Sequence, residues 1–121
     1  MKSYGIFYIL AFVSDLTRSK AFYRDKIGCK LSTDEPRVAG LALGEGYLVL
    51  HVDEREPKQR IYGGGMTVAL QVEDAALEHA RLAKLRVPVS KLIDQPWGER
   101  NFTFTDPDGY VWLVAQSRGL S

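Results

Sequence analysis

The chain has 121 residues, 45% hydrophobic and 26% charged, a near-average balance that excludes a disordered, collagen-like or coiled-coil protein. Lysine and arginine number 16 against 15 acidic residues, and the net charge of +1 leaves no electrostatic footprint for nucleic acid or an anionic membrane surface. Cys29 is the only cysteine, which excludes an intrachain disulfide and a Cys-rich zinc framework and points to a reducing compartment.

The first element is a strand from Tyr4 to Val13, rich in β-branched and aromatic residues. Lys2 ahead of Gly5 to Val13 resembles a signal-peptide core, but no small-residue cleavage site follows and Ser14-Asp15 opens a helix signal instead. The stretch is far too short to span a membrane, so a soluble, cytoplasmic protein is expected. Ser14 or Asp15 caps a helix to about Ile27, with Phe22, Tyr23 and Ile27 as core contacts, and Gly28 stops it. Strands follow at about Lys30 to Asp34, Val38 to Leu43 and Tyr47 to Val52, separated by Pro36 and the turn Gly44-Glu45-Gly46.

After the polar stretch Asp53 to Arg60 and the run Gly63-Gly64-Gly65, the plan repeats. Those glycines lack the Lys-Ser/Thr of a phosphate loop and read as a flexible hinge. Met66 to Val72 is a strand, and Asp74 caps a helix to about Arg86. Val87 to Ile93, Asn101 to Thr105 and Tyr110 to Gln116 are the remaining strands, the last two joined by the hairpin turn Asp106-Pro107-Asp108-Gly109. An offset of 59 residues carries Val13-Ser14-Asp15 onto Val72-Glu73-Asp74 and Ala21 onto Ala80. Module one covers about 1–56, a linker about 57–64 and module two about 65–121 of a single domain. The expected class is α+β: two βαβββ modules form a curled mixed sheet around a concave pocket, helices outside. Each module alone would have a marginal core.

Three passages carry a family resemblance: Phe12-Val13-Ser14-Asp15-Leu16 with Ala21-Phe22-Tyr23-Arg24-Asp25 and Ile27-Gly28; Val72-Glu73-Asp74; and Trp97-Gly98-Glu99-Arg100-Asn101-Phe102 with Asp106-Pro107-Asp108-Gly109. With the doubled plan they resemble the vicinal oxygen chelate superfamily of glyoxalase I, extradiol dioxygenases, fosfomycin-resistance enzymes and bleomycin-resistance proteins. That fold hosts enzymes and pure binding proteins alike.

The resemblance implies metal ligands on the first and last strand of each module. Carried onto this chain, the first position falls on Tyr8, the second on Leu50 or else His51, the third on Thr67 and the fourth on Leu113. A divalent ion needs imidazole or carboxylate donors, so no metal and no other cofactor is expected. Without the ion, the isomerase, dioxygenase and epoxide-opening chemistries lose their electrophile. His51 reads as structural or as a hydrogen-bond partner of a ligand, and His79 as a solvated helix residue. No Ser-His-Asp or Cys-His arrangement and no carboxylate pair on the concave face is evident, so no catalytic residue is assigned.

What remains is an apolar cup. Alternation turns Ile6, Tyr8, Leu10 and Phe12 inward together with Leu48, Leu50, Thr67, Ala69, Val111, Leu113 and Ala115. The expected ligand contacts are Tyr8, Leu10, Phe12, Leu50, Thr67, Trp97 and Leu113, around a flat hydrophobic or aromatic molecule, antibiotics among the candidates. These side chains could equally fill the space themselves. Trp97, between Pro96 and Gly98, could stack on a ligand, meet a second subunit or simply pack. The balanced charge argues against cationic bleomycin and for a neutral or weakly charged ligand. The resemblance also implies a homodimer. The leading expectation is a metal-free binding protein; the alternatives are a metal-dependent glyoxalase-like lyase or dioxygenase with a misregistered site, and a non-catalytic interaction module.

Overall fold

The computed structural model describes residues 1–117 and divides into two compact units, Met1–Tyr62 and a second beginning at Gly63. In the first unit, strand β1 (Tyr8–Val13) is followed by helix α1 (Leu16–Ala21), which continues as a π-helical turn over Phe22–Ile27. Strands β2 (Leu31–Asp34), β3 (Val38–Leu43) and β4 (Gly46–Val52) complete a sheet of order β1-β4-β3-β2, in which β1 runs parallel to β4 and the other pairs are antiparallel. The second unit repeats the order with β5 (Val68–Gln71), α2 (Ala75–Lys84), β6 (Ile93–Gln95), β7 (Glu99–Thr105) and β8 (Val111–Ser117), arranged β5-β8-β7-β6 with β5 parallel to β8. Two four-stranded mixed sheets, each with one helix between its first two strands, make this the expected α+β class of two βαβββ modules.

Residues one offset apart do the same work. Asp15 caps α1 by accepting the Arg18 N–H at 3.0 Å, and Asp74 caps α2 by accepting the Leu77 N–H at 3.0 Å. The π turn departs from a regular helix: the Gly28 and Cys29 N–H groups both donate to the Tyr23 carbonyl, at 3.1 and 2.9 Å. The widened turn holds the consecutive rings of Phe22 and Tyr23 both in the core, edge to face with centroids 5.0 Å apart.

Each sheet buries one face. In the first unit Val13, Ala39, Leu41, Leu48 and Leu50 are buried on the side where α1 packs on β3 and β4. In the second, Phe102, Phe104, Trp112 and Val114 form the core beneath α2, with Phe104 and Trp112 stacked at 6.1 Å. At about 1.5 to 3 kcal/mol per fully buried side chain, these clusters are the main stabilisation of each unit.

Several boundaries differ from expectation. β1 starts at Tyr8, not Tyr4, because its partner β4 begins at Gly46 and offers no ladder further back. Ile6, expected inward, therefore precedes the strand and is exposed. The strand expected from Val87 to Ile93 shrinks to a single bridge between Val89 and Phe104, and β6 forms later. Pro88 has no N–H to extend a ladder, although its carbonyl accepts from Thr105 at 3.1 Å. Among the described residues no helix is long and apolar enough to cross a membrane.

Candidate functional site

Burial on one sheet face leaves the other face open, and strand register says which residues stand there. In the first unit Tyr8 pairs with Tyr47, Leu10 with Val49 and Phe12 with His51, and cross-strand partners share a face. This row is opposite to Leu48 and Leu50, and it stays accessible: Tyr8 is 46% exposed, Leu10 43% and Tyr47 43%. Gly40 pairs with both Val49 and Thr33 on the same face. A Cβ on Gly40 would stand 3.3 Å from the Thr33 Cβ, so the bare backbone lets β2 close in. Tyr8, Thr33, Gly40, Tyr47 and Val49 line a recess of about 360 Å³, within the range of small-molecule sites.

Leu50 does not belong to this face. It pairs with Ala11 of β1 and Ala39 of β3 and is fully buried on the helix side with Leu48, so both are core residues and not members of the cup. Side chains alternate with a period of two, and an error of one residue in the register of β4 transfers the whole strand to the wrong face. Correcting it brings in Tyr47, Val49 and His51.

The far end of the row is polar and tightly organised. His51 Nδ1 lies 2.7 Å from the Val52 carbonyl, which fixes the proton on Nδ1 and leaves Nε2 as the neutral ring's acceptor. The His51 ring meets Phe12 edge to face at 6.1 Å. Arg55 lies over the Phe12 ring, its guanidinium carbon 4.3 Å from the ring centroid. Two donors of that guanidinium, Nε and Nη2, reach the two Asp53 oxygens, each at 2.9 Å. Asp53 also accepts the Arg55 backbone N–H at 3.1 Å and the Tyr62 hydroxyl, and its side chain is only 2% exposed. These donors, Arg55 first among them, hold the Asp53 carboxyl far below the usual carboxylate range. Alongside, Arg37 pairs with Glu54.

In the second unit Ala69 pairs with Leu113, and Leu113 with Thr103, on the face opposite the Phe102 and Trp112 core. Val111 and Ala115 share that face, as expected; Thr67 sits one residue before β5. Trp97 is 53% exposed in the three-residue loop between β6 and β7, where the Gly98 N–H closes a turn onto the Gln95 carbonyl at 3.1 Å. Gly98 has φ 90°, the left-handed conformation this hairpin loop needs. The strand pair below carries a polar chain: Gln95 Nε2 donates to Asn101 Oδ1 at 3.1 Å, and Asn101 Nδ2 to Glu99 Oε1 at 2.8 Å. Asp106 is a turn residue, its Oδ1 accepting the Asp108 and Tyr110 N–H groups at 2.9 and 2.8 Å. His79 is not a solvated residue: it is half-buried, its Nε2 donates to the Ser90 carbonyl at 2.8 Å, and its ring packs edge to face on Phe102 at 5.0 Å. Burial raises the pKa of Cys29, which lowers its thiolate fraction.

The internal repeat locates the second metal-ligand position. Leu113 pairs with Ala69, and Ala69 is equivalent to Leu10 at the offset of 59, so the first unit's counterpart of Leu113 is Val49, the partner of Leu10. The four positions are then Tyr8, Val49, Thr67 and Leu113, a phenol, two aliphatic groups and a hydroxyl. That donor set does not fit a divalent ion. Among the described residues no group of three or more His, Cys, Asp or Glu could hold one elsewhere.

Comparison with known proteins agrees with this architecture. The chain is 28% identical to TnmS3, an antibiotic binding protein from Streptomyces sp. CB03234, with a TM-score of 0.79 over 97% of this chain and 98% of the other. It also shares its fold with lactoylglutathione lyase from Agrobacterium tumefaciens, at 23% identity, TM-score 0.76 and 96% of both chains. A superfamily member from Sphaerobacter thermophilus DSM 20745 aligns at 21% identity and TM-score 0.81, over 93% of this chain and 97% of the other. The sequence model of the glyoxalase/bleomycin resistance protein/dioxygenase superfamily matches residues 5–114. With that match and the doubled βαβββ plan, the chain belongs to the glyoxalase/bleomycin resistance protein/dioxygenase superfamily.

Proposed function

We propose that this protein is a metal-free binding protein that captures a hydrophobic or aromatic small molecule, of the antibiotic kind, without changing it chemically. The observation that carries this reading is the chemistry at the positions where the resemblance implies metal donors: a phenol and an aliphatic group, Tyr8 and Val49, in the first unit, and a hydroxyl and an aliphatic group, Thr67 and Leu113, in the second. The exposed row Tyr8, Leu10 and Tyr47 beside the recess at Gly40 gives a flat ring a surface to lie on, with the Thr33 hydroxyl at its edge. In the second unit taken by itself, Trp97 stands half-exposed on the turn between β6 and β7 and offers a ring for stacking. The similarity to an antibiotic binding protein supports the ligand class. The protein acts as a cytoplasmic homodimer in this proposal, the second copy covering apolar surface that one copy leaves open.

The test is a panel of polycyclic aromatic antibiotics titrated into purified protein, read by quenching of tryptophan fluorescence and followed by mass analysis of the recovered compound. Saturable binding with the compound returned intact supports the proposal. Conversion to a product overturns it, as does a panel without saturable binding.

A further inference from the structure

The recess of the first unit carries a pair of hydroxyls that an irregularity in strand register brings together. We infer that Ser32 and Thr33 are specificity-determining residues that accept a hydrogen bond from a neutral donor, a phenolic hydroxyl or an amine or amide N–H, on the rim of an aromatic ligand. The inference rests on the proposed reading of the open face as a ligand surface and narrows the ligand to a flat ring system with such a donor at one edge.

Regular alternation turns consecutive residues of a strand to opposite faces. In β2 that alternation is broken. Leu31 pairs with Leu41 and Thr33 with Gly40, so two steps along β2 match one step along β3, and Ser32 is the extra residue of a bulge. The bulge brings the Ser32 side chain towards the same point as that of Thr33. Ser32 Oγ donates to the Gly40 carbonyl at 3.0 Å, and the Thr33 and Ser32 hydroxyl oxygens lie 3.4 and 3.5 Å from the position a Cβ on Gly40 would take. Both hydroxyl residues and Gly40 line the recess. A larger residue at position 40 would set carbon against both oxygens, and glycine leaves that space open.

The state of each hydroxyl sets the preference. The Ser32 proton is committed to the Gly40 carbonyl, so this oxygen offers a ligand lone pairs only, and the Thr33 hydroxyl is a second acceptor beside it. The rest of the lining is largely aromatic: the Phe7 ring meets Tyr8 edge to face at 5.3 Å, and Tyr47 pairs with Tyr8 across the strands. A ring that stacks on these side chains has its rim in the same recess as the hydroxyl pair. Among the described residues no carboxylate, imidazole, guanidinium or ammonium lines the recess. A charged group entering it would give up water without meeting an opposite charge, whereas a neutral donor exchanges one hydrogen bond for another.

The experiment titrates two fluorescent probes of one shape, hydroxypyrene and methylpyrene, into the intact protein, with mutual displacement establishing a shared site. The methyl group is the more hydrophobic, and a wholly apolar recess would favour methylpyrene by about tenfold or more. With the hydroxyl pair present, the wild type should bind hydroxypyrene at least as tightly as methylpyrene. Thr33→Val and Ser32→Ala should each weaken hydroxypyrene by about fivefold and leave methylpyrene within about twofold, as loss of one neutral hydrogen bond predicts. A wild type that binds methylpyrene the more tightly overturns the role of the hydroxyls and leaves the binding proposal standing. So does hydroxypyrene affinity that neither substitution changes, or an equal loss for both probes. Failure of both probes to bind overturns the reading of the face as a ligand surface, and the role of Ser32 and Thr33 with it. The order of the two probes in the wild type decides the matter even where a variant does not fold.

Discussion

Whether Leu50 belongs to the core or to the ligand surface separates the register observed here from its one-residue alternative, and truncation distinguishes them. Leu50 is fully buried between Ala11 and Ala39, under α1. Leu50→Ala deletes about three methylene equivalents, about 2.4 kcal/mol of transfer free energy, and the cavity left in a packed core brings the cost to about 3 kcal/mol. With a urea m-value of about 2 kcal/mol/M, the unfolding midpoint should fall by about 1.5 M. Leu10→Ala is the matched control. Leu10 is 43% exposed on the opposite face, so the same deletion should cost about 1 kcal/mol or less, move the midpoint by about 0.5 M and weaken binding of an aromatic ligand. Circular dichroism in a urea series measures both variants. The reasoning is refuted if Leu50→Ala is nearly as stable as the parent and loses ligand, or if Leu10→Ala carries the larger stability loss.

Trp97→Ala should weaken ligand binding by about 1 to 3 kcal/mol with little change in thermal stability, because the ring is half-exposed on a loop; an unchanged titration removes Trp97 from the site. Asp53 supplies a pH dependence. Its folded-state pKa is lowered, so its contribution to stability is complete above the unfolded value of about 4 and is lost as pH falls through the more acidic folded value. Urea midpoints of the wild type should therefore drop below about pH 4 more steeply than those of Asp53→Asn, and parallel curves would show that the carboxylate is not held as described. Asp106→Ala removes the acceptor of two turn N–H groups and should cost about 1 to 3 kcal/mol by the same denaturation assay; a neutral effect would contradict the turn role.

The fold was legible in the sequence because its signals are local and doubled. Asp15 and Asp74, one repeat apart, both cap helices, and the Asp106 turn forms as its chemistry dictates. Tyr8, Leu10 and Phe12 could be placed on one face because alternation within a single strand needs no partner. Leu50 was misplaced for the complementary reason: the phase of β4 is set by its parallel pairing with β1, a long-range fact absent from the local pattern of alternating leucines and valines. Tyr47 and Val49 were missed in the same way, whereas His51 stood as the alternative to Leu50. The equivalence of Leu10 with Ala69 offers a signal within the chain, but it needs the pairing of Ala69 with Leu113 to lead to Val49. Arg55 was hidden more deeply, since Asp53-Glu54-Arg55 reads as a solvated linker until its carboxylate is seen to be buried and its guanidinium to lie on Phe12. His79 looked solvated because the Ser90 carbonyl and the Phe102 ring that engage it come from later in the chain.

The central claim is that this member of the superfamily binds an aromatic molecule through side chains alone. Its most direct test is a fluorescence titration of a polycyclic aromatic ligand into protein stripped with a chelator, repeated with added Zn²⁺, Ni²⁺, Mn²⁺ or Fe²⁺. The account predicts the same affinity and stoichiometry in every case. Binding that appears only when an ion is restored, with one ion taken up per site, would contradict it.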